Sequence, residues 1–214
     1  MEFRPPADCM RPVKKQRERG SAFIEFVLTA LVWMPLLLGT IVFGINLIRA
    51  IQVSQLARDS GHMYAYGIDF TEPQNLALLQ RLAKGLNITP SGDGAVVLSK
   101  VTLVTQTDCD AAAMKVCPNN GQYVFTSIFV FGNQAYAKTK LGNPNTNYYT
   151  NGASIQTATY LSDPSLRATS FSNLLTFPPD QPGQYAFVSE VSVNSQAINW
   201  SSFSNTGSYA RSIF

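Results

Sequence analysis

Three groups of residues in this chain have types and spacings that could do chemistry. The first is Glu25, in the stretch Arg19-Gly20-Ser21-Ala22-Phe23-Ile24-Glu25-Phe26. No charge follows it until Arg49, so a carboxylate stands at the edge of 23 uncharged, mostly apolar residues, Phe26 to Ile48. A charge inside such a run is costly, about 2.5–3.5 kcal/mol at mid-membrane on insertion scales and less near the edge. A segment that serves only as an anchor has no use for one, so the carboxylate reads first as functional. The bland alternative is a side chain that reaches back to the lipid headgroups and does nothing more. The second group is Cys109 and Cys117, with seven residues between them. The third is a scatter of Asp93, Asp108, Asp110 and the single histidine, His62. The aspartates are calcium ligands only in the loosest sense and fit turn chemistry better. Three cysteines and one histidine argue against a zinc site, and no metal or other cofactor is expected. There is no Gly-x-Ser-x-Gly elbow, no Gly-Lys-Ser/Thr phosphate loop and no His-Glu-x-x-His, so an enzyme is not expected.

The element that must position Glu25 is a helix. Twenty-three residues rise about 35 Å at ~1.5 Å each, enough for a bilayer core of ~30 Å. Pro35 lies in mid-segment, with Gly39 and Gly44 after it. Proline removes a backbone hydrogen bond and kinks a helix. Pro35 is either a flexible point that lets the helix leave the bilayer, or an ordinary transmembrane proline. Residues 1–20 carry Arg4, Arg11, Lys14, Lys15, Arg17 and Arg19 against Glu2, Asp8 and Glu18, a net of +3. That equals the charge of the whole chain, so the remainder is neutral and its surface offers no basic patch for nucleic acid. The same charges place the N-terminus in the cytoplasm and the residues after about 50 outside it. The apolar run exceeds the h-region of a cleaved signal peptide, and no Ala-x-Ala site follows. An uncleaved signal anchor and a cut on the cytoplasmic side, between Gly20 and Ser21, both stay open.

A basic leader ending in glycine, then a small residue, then Glu as the fifth residue of an apolar helix, resembles the class III signal of type IV pilin-like proteins. The fuller pattern Gly20 to Leu28, then Pro35-Leu36-Leu37-Leu38-Gly39 and Phe43-Gly44, resembles the tight-adherence (Tad) pilus pseudopilins of the TadE/TadG kind. The run Gln52 to Gly61 is similar to their helix extension. The resemblance covers about residues 17–67, and nothing after them carries a quotable family motif. It implies cleavage after Gly20 by a prepilin peptidase in the bacterial inner membrane. It also implies pairing of Glu25 with the Ser21 amine of a neighbouring subunit. The implied partners are other pilus subunits, the inner-membrane assembly platform and membrane lipid. Physically, the cut would free an α-amine with a reference pKa near ~8 and remove six basic side chains. Two opposite charges buried side by side in a filament would lose their worst desolvation cost.

Beyond the membrane the helix is expected to continue, with Ile48, Ile51, Gln55 and Leu56 as an apolar stripe and Gly61 or Gly67 as its end. A helix from Ser21 to Tyr66 would be about 70 Å long. Asp69 to Pro73 reads as a turn and helix start. The face Leu76, Leu79, Leu82, Ala83, Leu86 predicts a second helix to about Leu86. Strands are expected at Ala95–Val104, Gln122–Phe131, Ala153–Tyr160 and Tyr185–Val193. Long loops cover Gly142–Gly152 and Leu161–Gly183, the latter holding Pro164, Pro178, Pro179 and Pro182. The fold class is therefore α+β: a long N-terminal transmembrane helix extending into a small head of antiparallel sheet with one further helix. The divisions are a cytoplasmic basic leader (1–20), the transmembrane helix (21–48), a helix extension (49–67) and an extracytoplasmic head (68–214).

Cys9 falls in the leader, on the reducing side, whereas Cys109 and Cys117 fall in the head, between the first two strands. An oxidising exterior favours a disulfide between them, worth ~2–3 kcal/mol in the chain-entropy model, against two free thiols that happen to be close. Asn87-Ile88-Thr89 and Asn199-Trp200-Ser201 match the glycosylation sequon, a pattern frequent by chance. Tyr148, Tyr149, Trp200, Phe203 and Tyr209 form either a contacting surface or a satellite core. His62 is expected on the helix extension, exposed or packing. Two functions stand: a structural minor pilin or pseudopilin of a Tad-type pilus that aids assembly or adhesion, and a signal-anchored extracytoplasmic binding domain unrelated to pili. The head is large for a major Tad pilin.

Overall fold

The computed structural model describes residues 19–149, 151–174, 181, 183–194 and 207–214. Helix α1 runs Arg19–Ala65 and includes Pro35. The chain divides between Gly44 and Ile45 into two compact units. In the first unit the large apolar side chains from Phe23 to Phe43 are exposed, with Val42 intermediate, and none of its most apolar window is buried. This is the one described helix long and apolar enough to cross a membrane, with a mean hydropathy of 2.3.

The second unit is built on a five-stranded antiparallel sheet, consistent with the expected α+β class. Its strands are β1 (Gly94–Leu103), β2 (Tyr123–Gly132), β3 (Asn151–Ser154), β4 (Ala186–Val193) and β5 (Ser208–Ile213), in the order β3-β2-β1-β4-β5. Strand β1 is central and buried on both faces, so its apolar residues do not keep a strict alternation and are interrupted only by Ser99, Lys100 and Thr102. A register shift between Lys100 and Val101 interrupts its pairing with β2. One face of the sheet packs Val96, Leu98, Phe129, Phe131, Val191 and Val193 against Val53, Leu56 and Ala57 of α1. The other face packs Val97, Phe125, Ile128 and Val188 against Leu141, Leu166 and Phe171 from the loops. This assigns β4, whose faces the sequence left undecided: Val191 and Val193 point to the helices, Ala186 and Val188 away from them.

Several sequence expectations need correction. The buried stripe of α1 is Val53, Leu56, Ala57, Ser60 and Gly61, whereas Ile48, Ile51 and Gln55 are exposed. The helix passes through Gly61, where there is no room for a side chain: an added Cβ would lie 2.5 Å from the Phe214 ring. It ends instead at Gly67, with φ +80. There Gly67 N–H donates to Tyr64 C=O at 3.0 Å and Ile68 N–H to Met63 C=O at 3.1 Å, a Schellman cap. Helix α2 spans Pro73–Leu82 and stops short of Leu86, because Gly85 and Asn87 take positive φ. Ala83 and Leu86 are still buried, but Leu82 is exposed.

The strand expected over Ala153–Tyr160 is mostly helix. Only Asn151–Ser154 is β3, and Thr157–Ser162 form α4. Tertiary bonds decide this: the Asn119 side chain donates to the carbonyls of Tyr160 and Asp163, both at 2.8 Å. Two elements went unread, α3 (Gln106–Ala111) and β5. The head thus holds more than one further helix. The turn reading of the aspartates fits α3, where Thr105 and Asp108 form a capping box.

Candidate processing and assembly site

The site named from sequence lies at the start of α1. The Gly20–Ser21 peptide lies within α1, at the beginning of the described residues. Glu25 lies one turn further on and is exposed. Its backbone carbonyl accepts the Thr29 hydroxyl at 2.8 Å. Phe23, Ile24 and Phe26 flank it, each more than half exposed. A carboxylate among outward apolar side chains is well placed to meet a cation once a neighbour or a lipid covers this surface.

Pro35 sits inside the helix with no break on either side. An open apolar concavity of about 600 Å³ on the same helix is lined by Phe26, Ala30, Trp33, Met34 and Leu37, and Pro35 does not line it. An added Cβ at Gly39 or Gly44 would meet nothing within 4 Å, so neither glycine is required by packing within this unit.

Cys109 and Cys117 form a disulfide, with an S–S distance of 1.99 Å and Cα atoms 6.0 Å apart. Cys109 is fully buried with Val104, Val124 and Leu161. The bond therefore fastens α3 to a small satellite core under the β1–β2 connection. It is remote in sequence from Glu25 and belongs to the head alone.

The remaining sequence candidates scatter. His62 is exposed and stacks between Tyr66 and Phe214, with ring centroids 5.6 and 4.6 Å away. Asp93 accepts from the Asn87 side chain at 2.8 Å, and Asp110 from Gln106 at 2.8 Å. Among the described residues no three His, Cys, Asp or Glu side chains gather as a metal site. Tyr148 and Tyr149 pack on the second core. The Tyr148 hydroxyl donates to Asp163 at 2.6 Å, and this bond holds the Asp163 carboxyl below its usual range. Cys9, the Asn199 sequon, Trp200, Phe203, Pro178, Pro179 and Pro182 lie outside the described residues.

Sequence reasoning missed Glu190. This carboxylate is 1% exposed, on β4. One of its oxygens accepts the Lys140 backbone N–H at 2.9 Å and the Tyr209 hydroxyl. Its other oxygen has no hydrogen-bond partner among the described residues. Burial and the nearby Glu190 charge push the Tyr209 hydroxyl far above the ordinary phenol range. The contact ties β5 and the 139–140 loop to the sheet. The only signal in the sequence was an acid inside an otherwise apolar strand, Val188-Ser189-Glu190-Val191.

Residues 20–62 match the family described as TadE-like protein. No curated protein and no solved structure matches the chain. The matched residues begin at Gly20, include Glu25 and Pro35, and end within the buried part of α1. Over this segment, about a fifth of its length, the chain is similar to the TadE-like proteins.

Proposed function

We propose that the chain is a minor pilin, or pseudopilin, of a Tad-type pilus: a structural subunit that aids assembly or adhesion and is not an enzyme. The observation that carries this reading is the TadE-like match over a helix whose apolar side chains face outward, with Glu25 five residues after Gly20. In this reading residues 1–20 are a cytoplasmic leader, 21–48 a single span of the bacterial inner membrane, 49–67 a helix extension and 68–214 an extracytoplasmic head. The positive leader keeps the N-terminus inside. A prepilin peptidase cuts between Gly20 and Ser21. The new Ser21 amine, cationic near neutral pH, pairs with Glu25 of an adjacent subunit and sets the stagger between them. Lipid covers the outward apolar face before assembly, and other pilus subunits cover it afterwards, at the assembly platform. The disulfide favours an oxidising compartment for the head.

The test is the mass of the mature N-terminus. Native protein should begin at Ser21, and Gly20→Trp should remain full-length in the membrane. A native protein that begins at Met1, in a cell with an active prepilin peptidase, would overturn the reading in favour of a signal-anchored binding domain.

A further inference from the structure

Lys100 is an unusual residue for its position. It lies on β1, the central strand, opposite Ser127 on β2 and Phe187 on β4. It shares a face with Leu98 and Val96, which α1 covers. The helix ends at Ala65, and Tyr64 in its last turn donates to Ser127 Oγ at 3.3 Å. Beyond that turn the sheet face opens into a cavity of about 450 Å³, lined among others by Tyr64, Asp69, Thr71, Lys100, Ser127 and Phe187.

Inside the cavity the acceptors and donors are unevenly used. Ser127 passes its own proton to the Gly152 carbonyl at 2.9 Å. Asp69 is turned to the Thr71 backbone N–H at 2.8 Å. The Lys100 ammonium rests over the Tyr185 ring at 3.6 Å and near that of Phe187 at 5.6 Å. Among the described residues it makes no hydrogen bond or ion pair, and burial lowers its pKa. A partly buried ammonium held over two rings, with no carboxylate beside it among the described residues, is a favourable place for an anionic acceptor.

We propose that this cavity binds a carboxylate through Lys100. The Asp69 charge in the wall disfavours a dianion such as phosphate, and Phe187 offers an apolar contact for a short carbon body. The carboxylate is either a free organic acid or the side chain of an acidic residue on a protein partner. The proposal does not depend on the pilus reading.

The test uses the full chain in detergent, with ¹⁵N-lysine label. Butyrate, which matches a glutamate side chain, is titrated beside its neutral amide, butyramide, and beside inorganic phosphate. Butyrate should saturate the wild-type Lys100 Nζ resonance and raise its pKa; in calorimetric titration, which needs no lysine label, Lys100→Met should weaken butyrate binding at least about ten-fold. Lys100→Arg should retain it. A Glu-containing peptide blocked at both ends supplies the second arm: tighter binding than butyrate assigns the site to a protein partner, and weaker binding assigns it to a free acid. Equal saturation by butyramide or phosphate would overturn the proposal, and the wild-type protein alone decides this. So would undiminished butyrate binding by Lys100→Met, or an Nζ resonance unmoved by butyrate up to about 100 mM, which would leave Lys100 as a cover for two rings.

Discussion

The first forty-odd residues and the rest of the chain solve the hydrophobic problem in opposite ways. The head buries Phe125, Phe171, Leu98 and Ile128 fully within itself. The apolar part of α1 buries none of its large side chains: Phe23, Leu31 and Phe43 are 69%, 71% and 71% exposed. The head is stable by its own contacts, whereas the N-terminal helix is complete only when another phase or molecule covers it. The difference teaches where to look for function. A charge is tolerated in the head when local groups satisfy it, as Lys140 N–H and Tyr209 do for one oxygen of Glu190. Glu25 stands exposed among outward apolar side chains.

Three experiments sharpen or break this contrast. The largest effect is expected at Glu25. Glu25→Ala should insert normally or slightly better and should still be cleaved, because the leader and Gly20 are untouched. Incorporation into a pilus or initiation complex should be lost, and Glu25→Gln should fail nearly as badly, since it keeps shape without charge. Co-purification or crosslinking with other pilus subunits reads this out. Normal assembly of both variants would make Glu25 a snorkelling anchor.

The second experiment compares truncations of matched kind. Phe125→Ala removes a fully buried ring and should cost the head about 3–5 kcal/mol in denaturant unfolding. Leu36→Ala, at a side chain 58% exposed, should leave the same transition within about 0.5 kcal/mol. A comparable loss from both would mean that the outward apolar face of α1 is not independent of the head's core. The third effect is smaller. Cys109→Ser with Cys117→Ser should lower head stability by about 2–3 kcal/mol, the chain-entropy value for a short loop. In unreduced exported protein, alkylation should label neither cysteine, and labelling of both would remove the bond from the account.

The same contrast explains what could be read from the sequence. The α1 motif is contiguous, so Gly20, Glu25 and Pro35 lie in one readable line, and the family match falls on that line. Strands β1, β2 and β4 were legible because long β-branched and aromatic runs have few alternatives. The end of α1 was legible as a choice between two glycines, and the Schellman bonds at Gly67 decided it. Residues 155–160 were misread because Ile155, Thr157 and Thr159 alternate like a strand. The bonds from Asn119, some forty residues away, are invisible to a local pattern. Strand β5 escaped because Ser208-Tyr-Ala-Arg-Ser-Ile is short and half-buried throughout, and it pairs only with β4. The disulfide was legible through compartment and spacing. Glu190 and Lys100 were not, because a charge in a strand says nothing of what the fold brings to it.

The cap at Gly67 has a mechanical consequence within the second unit. The chain leaves α1 through a tight reversal that tucks Ile68 beside Met63 in the same core. Ser60 meets Ser189 at 2.9 Å and Tyr64 meets Ser127 at 3.3 Å, so the helix is riveted sideways to both β4 and β2. A pull applied along the helix therefore enters the sheet through these lateral fastenings and the packed Val53, Leu56 and Ala57. Traction on this protein would be borne by non-covalent rungs spread over several turns.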